Sequence, residues 1–270
     1  MSKFSFYNRL SILILFVVLA IGGTLTPIVV LKWKSESNEK LVMALFQEWE
    51  GADHLPTPFL AQMLDLKVDL PLKMGEFDCQ KGEETLALYP IFKKVSLKKR
   101  WPEGLLISYK LREPLACVGN FENIVIDREG VLFPLEPFYF QKKLPTLFFD
   151  PNLFEIEGGT ILGKKIPQRE MDLAIDLMNR LPGDIDLSRI DGSSYGGREI
   201  VVQTQDFFIL RLTRKNYPQE LANYFSLRHQ ESVFHERDKV IVDLRISGVA
   251  YIGHYEEVPI RTNLLDCSKS

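Results

Sequence analysis

Cysteine is scarce in this chain and falls in no useful pattern. Cys79, Cys117 and Cys267 are an odd number at wide spacings, which excludes a disulfide framework or a zinc ligand set and leaves buried or incidental thiols. Histidine is as sparse: His54, His229, His235 and His254 never fall at the spacing that aims two imidazoles from one helical turn at a metal. Positive charge is not in excess. The formal net charge is −3 at pH 7, whereas a nucleic-acid-binding domain normally carries a clearly basic stripe. Internal repeats and low-complexity tracts are missing too, which excludes solenoid and array architectures.

Catalytic motifs are missing as well. Gly158-Gly159-Thr160-Ile161-Leu162-Gly163-Lys164-Lys165 nearly spells a phosphate-binding loop, but the residue after the lysine is Lys165 rather than the Ser or Thr that holds magnesium. No apolar strand leads into it, so the stretch reads as a glycine turn. Gly192-Ser193-Ser194-Tyr195-Gly196 resembles a nucleophile elbow only loosely and is more simply a turn. Acidic residues are abundant, but abundance does not make a pair of catalytic carboxylates. With no site constellation, the expectation is a non-enzyme with no cofactor and no metal.

What is present begins with one uncharged, mostly apolar run, residues 10–31, bounded by Lys3 and Arg9 before it and by Lys32 and Lys34 after it. As a helix rising ~1.5 Å per residue it covers the ~30 Å hydrocarbon core, and it lacks the polar stripe of a buried helix in a soluble domain. A cleaved signal peptide is the rival reading, with residues 10–19 as its h-region and Ala20-Ile21-Gly22 as a small-x-small site. Against cleavage, hydrophobicity resumes at Leu25 and continues through Ile28, Val29, Val30 and Leu31. The expectation is a single-pass anchor with residues 1–9 as a cytoplasmic tail and the bulk of the chain exported.

Residues 32–54 form a membrane-proximal linker and an ambiguous start: Leu41, Val42, Leu45, Phe46 and Trp49 have helical spacing that also fits a first strand. Thr57 is positioned to cap a helix carrying Phe59, Leu60, Met63 and Leu64, and Asp78 a second short helix. The clearest β signal is a hairpin. Val95, Leu97 and Trp101 alternate with Ser96, Lys98 and Arg100; after the turn Pro102-Glu103-Gly104, Leu105, Ile107, Tyr109 and Leu111 alternate with Ser108, Lys110 and Arg112. This predicts one apolar face, covered by the two helices, and one basic face containing Lys94, Lys98, Arg100, Lys110 and Arg112. Such a face is ordinarily a solvated one; its functional reading is contact with anionic headgroups or an acidic partner.

Beyond Pro114, residues 123–133 read as two short strands joined by a turn with Asp127 and Gly130. A helix over 166–181 follows, introduced by Pro167 and ended by Leu181-Pro182-Gly183. Strands are expected at 199–203 and 207–212, a helix near 219–228 and a final strand over 239–247, in which Val240, Val242, Leu244 and Ile246 share a buried face.

Several of these pieces, in this order, resemble a family: the bitopic bacterial cell-division proteins FtsQ and DivIB. They are Tyr89-Pro90-Ile91-Phe92, Arg100-Trp101-Pro102-Glu103-Gly104, Leu111-Arg112-Glu113-Pro114-Leu115-Ala116, Ile126-Asp127-Arg128-Glu129-Gly130-Val131-Leu132-Phe133, Leu144-Pro145 and Ile241-Val242-Asp243-Leu244-Arg245. Arg112 and Glu113 stand in the reverse of the family's Glu-Arg order, the family's first strand ending in a Val-x-Gly-Asn turn has no clear match around Trp49-Glu50-Gly51-Ala52, and residues 149–161 diverge.

The resemblance implies an α+β chain: a transmembrane helix, a small POTRA-like domain over 55–113, a β-rich FtsQ-type domain with flanking helices over 114–255, and a tail over 256–270. It implies a non-catalytic divisome scaffold in the cytoplasmic (inner) membrane, binding bitopic partners of the FtsB and FtsL type. A membrane-anchored exported enzyme and an anionic-lipid-binding module are the alternatives. If the final strand is a sheet edge, its backbone can accept a partner strand, and Arg245, Ser247, Val249 and Tyr251 are the expected contact residues.

Overall fold

The computed structural model describes Lys32 and residues 39–254, except 68–69, 71, 140–141, 155–159, 182–186, 205–207 and 229–239. The apolar run 10–31 lies outside the described residues, among which no helix is long and apolar enough to cross a membrane. The chain is α+β, and its residues cluster into two units: those up to Leu88 with Lys94–Leu111, and Tyr89–Lys93 with those from Arg112 onward.

The first unit runs β1 (Ala44–Glu50), α1 (Thr57–Met63), α2 (Cys79–Ala87), β2 (Phe92–Arg100), of which Lys94 onward belongs to this unit, and β3 (Gly104–Leu111). Its sheet order is β1-β3-β2. A three-residue connection leaves β2 and β3 only the hairpin arrangement, as the alternation predicts, and Leu105, Ile107, Tyr109 and Leu111 are buried. With Leu55, Leu60, Met74 and Leu86 they form the core of this unit, each large apolar side chain contributing about 1.5–3 kcal/mol of burial. The ambiguous start resolves as strand: β1 pairs in parallel with β3, Ala44 opposite Gly104 through Glu50 opposite Lys110. A distant partner strand overrides helical spacing here.

Asp78 caps α2 as predicted, accepting from the Gln80 and Lys81 amides at 2.9 and 3.2 Å. Thr57 does not cap α1. Pro56 holds that position without a side-chain bond, and the Thr57 hydroxyl hydrogen-bonds the Gln47 side chain at 2.7 Å. The outer edge of β2 is engaged by α2, whose Glu83 carboxylate accepts from the Leu97 amide at 2.6 Å. Burial pushes the Cys79 thiol pKa up, which disfavours its thiolate form.

The second unit contains β4 (Ala116–Val118), β5 (Ile124–Ile126), β6 (Leu132–Pro134), β7 (Thr146–Phe148), α3 (Gln168–Arg180), β8 (Leu187–Asp191), α4 (Ser194–Gly197), β9 (Glu199–Thr204), β10 (Ile209–Thr213), α5 (Tyr217–Arg228), β11 (Val240–Asp243) and β12 (Tyr251–His254). They build one sheet in the order β12-β11-β10-β9-β8-β7-β4-β5-β6. Met171, Ala174 and Leu177 of α3 and Leu221 and Tyr224 of α5 join Ile190, Ile200, Val202, Leu210, Leu212, Val240 and Val242 in a single core. The predicted β5–β6 turn is present: the Gly130 amide donates to the Asp127 carbonyl at 3.1 Å, with Gly130 at φ +82°.

The final strand is corrected. It ends at Asp243 rather than Ser247, and it is not the edge: β11 lies between β10, to which it is parallel, and β12, to which it is antiparallel. Ile246, expected on the buried face, is 55% exposed, because the chain turns there and the Val249 amide donates back to the Ile246 carbonyl at 3.1 Å. Gly248, at φ +77°, occupies this turn, a backbone region that favours glycine.

Candidate partner-binding edge

The two ends of the large sheet are finished differently. At β6 the edge is covered: the Leu132 amide donates to the Lys164 carbonyl (3.0 Å), the Gly163 amide to the Leu132 carbonyl (2.8 Å) and the Ile166 amide to the Gly130 carbonyl (2.8 Å). At the other end no such backbone bond reaches Ile252 of β12 among the described residues, and all four residues of the strand are exposed.

The ladder fixes which backbone groups of β12 face outward. The Leu244 amide donates to the Arg211 carbonyl at 3.0 Å, so Val240, Val242 and Leu244 turn their backbone groups to β10, and Ile241 and Asp243 turn theirs to β12. Ile241 lies opposite Gly253, and Asp243 opposite Tyr251. Tyr251 and Gly253 therefore bond inward, and Ile252 presents its N–H and C=O to the outside. Ile252 lies opposite the buried Val242, so its side chain stands at the rim of the core. In this last stretch of the described chain Ile246, Val249, Tyr251 and Ile252 are 55, 44, 58 and 38% exposed. Outward strand backbone at Ile252 together with exposed apolar side chains is an arrangement that a partner strand can complete.

The corner before β12 is braced by ion pairs. Glu199, at the start of β9, is buried and accepts two bonds from Arg211 Nη2, at 3.2 and 3.1 Å. Arg211 Nη1 lies 3.4 Å from Asp243. Arg245 bonds both oxygens of Asp243, Nε to Oδ1 at 2.8 Å and Nη2 to Oδ2 at 2.6 Å, and also bonds Glu199. Two guanidiniums and two carboxylates thus balance in a partly buried cluster spanning β9, β10 and the end of β11. The bonds from Arg245 hold the Asp243 carboxyl pKa below its ordinary value despite burial, with Arg211 adding to the effect.

Of the four expected contact residues, Val249 and Tyr251 are exposed. Ser247 is exposed in the turn rather than on a strand. Arg245 is bound into the ion cluster, which gives its guanidinium a bracing role. Sequence reasoning missed Ile246 and Ile252 as exposed residues, although Ser247-Gly248 is a recognisable turn signal.

The predicted basic face is more mixed than the hairpin alone suggests. Lys94, Lys98 and Arg100 are exposed on it, but β1 adds Glu48 and Glu50. Lys110 pairs with Glu50 at 3.0 Å, and Ser108 donates to Glu48 at 3.2 Å. Arg112 does not belong to this face; it is a residue of the second unit, bonding Asp127 at 2.8 Å, Glu129 at 3.2 Å and the Pro90 carbonyl at 2.9 Å. The first unit also holds a groove of about 860 Å³ bordered by Val42, Leu45, Ala61, Leu64, Leu72 and Phe77. Asp65, Lys67, Glu76, Asp78 and Lys81 line it as well, and among the described residues no cluster of three or more His, Cys, Asp and Glu side chains is arranged to hold a metal ion.

Compared with known proteins, the chain matches no protein-family model and no curated protein.

Proposed function

We propose that this chain is a non-catalytic scaffold of the bacterial divisome, anchored in the cytoplasmic (inner) membrane by residues 10–31. Its exported units bind other single-pass division proteins of the FtsB and FtsL type, in support of septal peptidoglycan synthesis. The observation that carries this reading is the β12 edge: Ile252 turns its backbone groups outward, with Ile246, Val249 and Tyr251 exposed in the same stretch, and a scaffold of this kind works by accepting a partner strand.

Two further observations support it. The first unit has a first strand, two helices and a hairpin, the content that a POTRA-like domain requires. Arg112, Asp127 and Gly130, residues on which the family resemblance rests, converge in one structural feature of the second unit. The lipid-binding alternative is weakened by Glu48 and Glu50 on the face it would use.

The reading is tested by depleting the protein in its host. Filamentation with unseparated septa, rescued by the full chain, is expected; normal division after depletion overturns it.

A further inference from the structure

The first unit has an uncovered edge of its own, at β1. Four of the chain's exposed large hydrophobics fall on or just before this strand: Leu41, Met43, Phe46 and Trp49. The Ala44 amide donates to the Glu103 carbonyl at 3.2 Å, and Ala44 lies opposite Gly104 in the parallel ladder. Ala44, Phe46, Glu48 and Glu50 therefore direct their backbone groups to β3, and Leu45, Gln47 and Trp49 direct theirs outward. Among the described residues nothing bonds those outward groups. On the neighbouring stretch the Val42 amide donates to the Leu72 carbonyl, and the Met74 amide to the Lys40 carbonyl, both at 2.8 Å.

We infer that two copies of this chain pair along β1, antiparallel about a two-fold axis at Gln47, joining their three-stranded sheets into one. The strand is complementary to itself in this register. Leu45 meets Trp49 of the second copy and Gln47 meets its counterpart, so every outward N–H and C=O of these residues finds a partner. On the groove side, Trp49 of the second copy, 46% exposed in one copy alone, lies against Leu45 at the groove's border.

On the opposite face Phe46 meets Glu48 of the second copy. The Arg100 guanidinium stands 4.1 Å from the centroid of the Phe46 ring, which brings a cation beside that carboxylate, twice by symmetry. Neighbouring registers fail. Centring on Glu48 opposes two like charges, and centring on Phe46 sets Trp49 against Met43, whose amide already bonds Glu103 at 2.9 Å. Charge complementarity and backbone pairing thus select the same partner, a second copy.

The test is sedimentation of the full chain in mild detergent, comparing wild type with Glu48→Lys, Arg100→Glu, the double variant carrying both, and Trp49→Pro. The wild type is expected to dimerise. Each single charge change weakens the dimer by roughly tenfold or more through like-charge contact, and the double variant regains it. Trp49→Pro removes an outward amide that β3 does not use, an edge position where proline is tolerated, and yields a folded monomer by circular dichroism. A wild type monomeric at every concentration, a dimer indifferent to Trp49→Pro, or a double variant no better than its parents overturns the inference.

Discussion

The Arg112 guanidinium and the Asp127 carboxylate meet at 2.8 Å, joining the first residue after the hairpin to the turn between β5 and β6. The pair does more than neutralise charge. The Arg112 Nε also donates to the Pro90 carbonyl (2.9 Å), the Tyr139 hydroxyl donates to the Arg112 carbonyl, and Asp127 Oδ1 accepts from the Glu129 and Val131 amides, both at 2.9 Å. One arginine and one aspartate therefore order the turn and the short segment Tyr89–Lys93 within the second unit.

Arg112→Ala leaves a buried carboxylate without its cation and is expected to destabilise the second unit by about 3 kcal/mol. Asp127→Ala should cost a similar amount. Chemical denaturation of both single variants and the double should show the double costing clearly less than the sum; strict additivity would show that the two residues act separately.

Gly130→Ala tests the same turn through its backbone. Its φ of +82° disfavours a side chain, and an added Cβ would lie 3.0 Å from the Ile166 carbonyl oxygen, a backbone atom that cannot swing aside. A loss of about 1–3 kcal/mol in thermal or denaturant unfolding is expected, with no change in the first unit's α2 signals.

Asp243 predicts a pH effect of definite sign. Its folded-state pKa is depressed, first by hydrogen bonds from Arg245, so its contribution to stability is present above the ordinary carboxylate value and is lost as pH falls through the lower, folded-state value. Asp243→Asn should flatten that acid limb of the stability profile. An acid limb identical in wild type and variant would show that Asp243 contributes nothing to it.

Loss of the Asp78 cap gives a smaller, local effect. Asp78→Ala removes the acceptor for the Gln80 and Lys81 amides and should cost about 1 kcal/mol, read as faster hydrogen exchange at the start of α2.

Where a segment carries its own periodicity, the sequence was readable. Leu105, Ile107, Tyr109 and Leu111 alternate and are buried as alternation requires; Pro167 opens α3, and Asp78 caps α2. Where a distant partner decides, it was not. Leu41, Val42, Leu45, Phe46 and Trp49 suit helix and strand alike, and pairing with β3 selects strand. β4 and β7 are three residues each, too short for alternation to register.

The candidate site shows the same division. Alternation places Arg245 outward, but Glu199, remote in sequence and adjacent in space, captures it. The open edge moved from β11 to β12 because Gly248 marks a turn inside what reads as one strand. Ile252, rather than Ser247, is therefore the place for a proline that removes an outward amide.

The most direct measurement of the central claim is calorimetric titration of the detergent-solubilised full chain with a purified partner complex of the FtsB and FtsL type from its own host, comparing wild type with Ile252→Pro. The proline removes the outward amide of β12 and spares the Tyr251 and Gly253 bonds to β11. Wild-type binding weakened at least about tenfold by Ile252→Pro, with the fold unchanged, is the predicted result. Equal binding by both proteins, or no binding by the wild type, would contradict it.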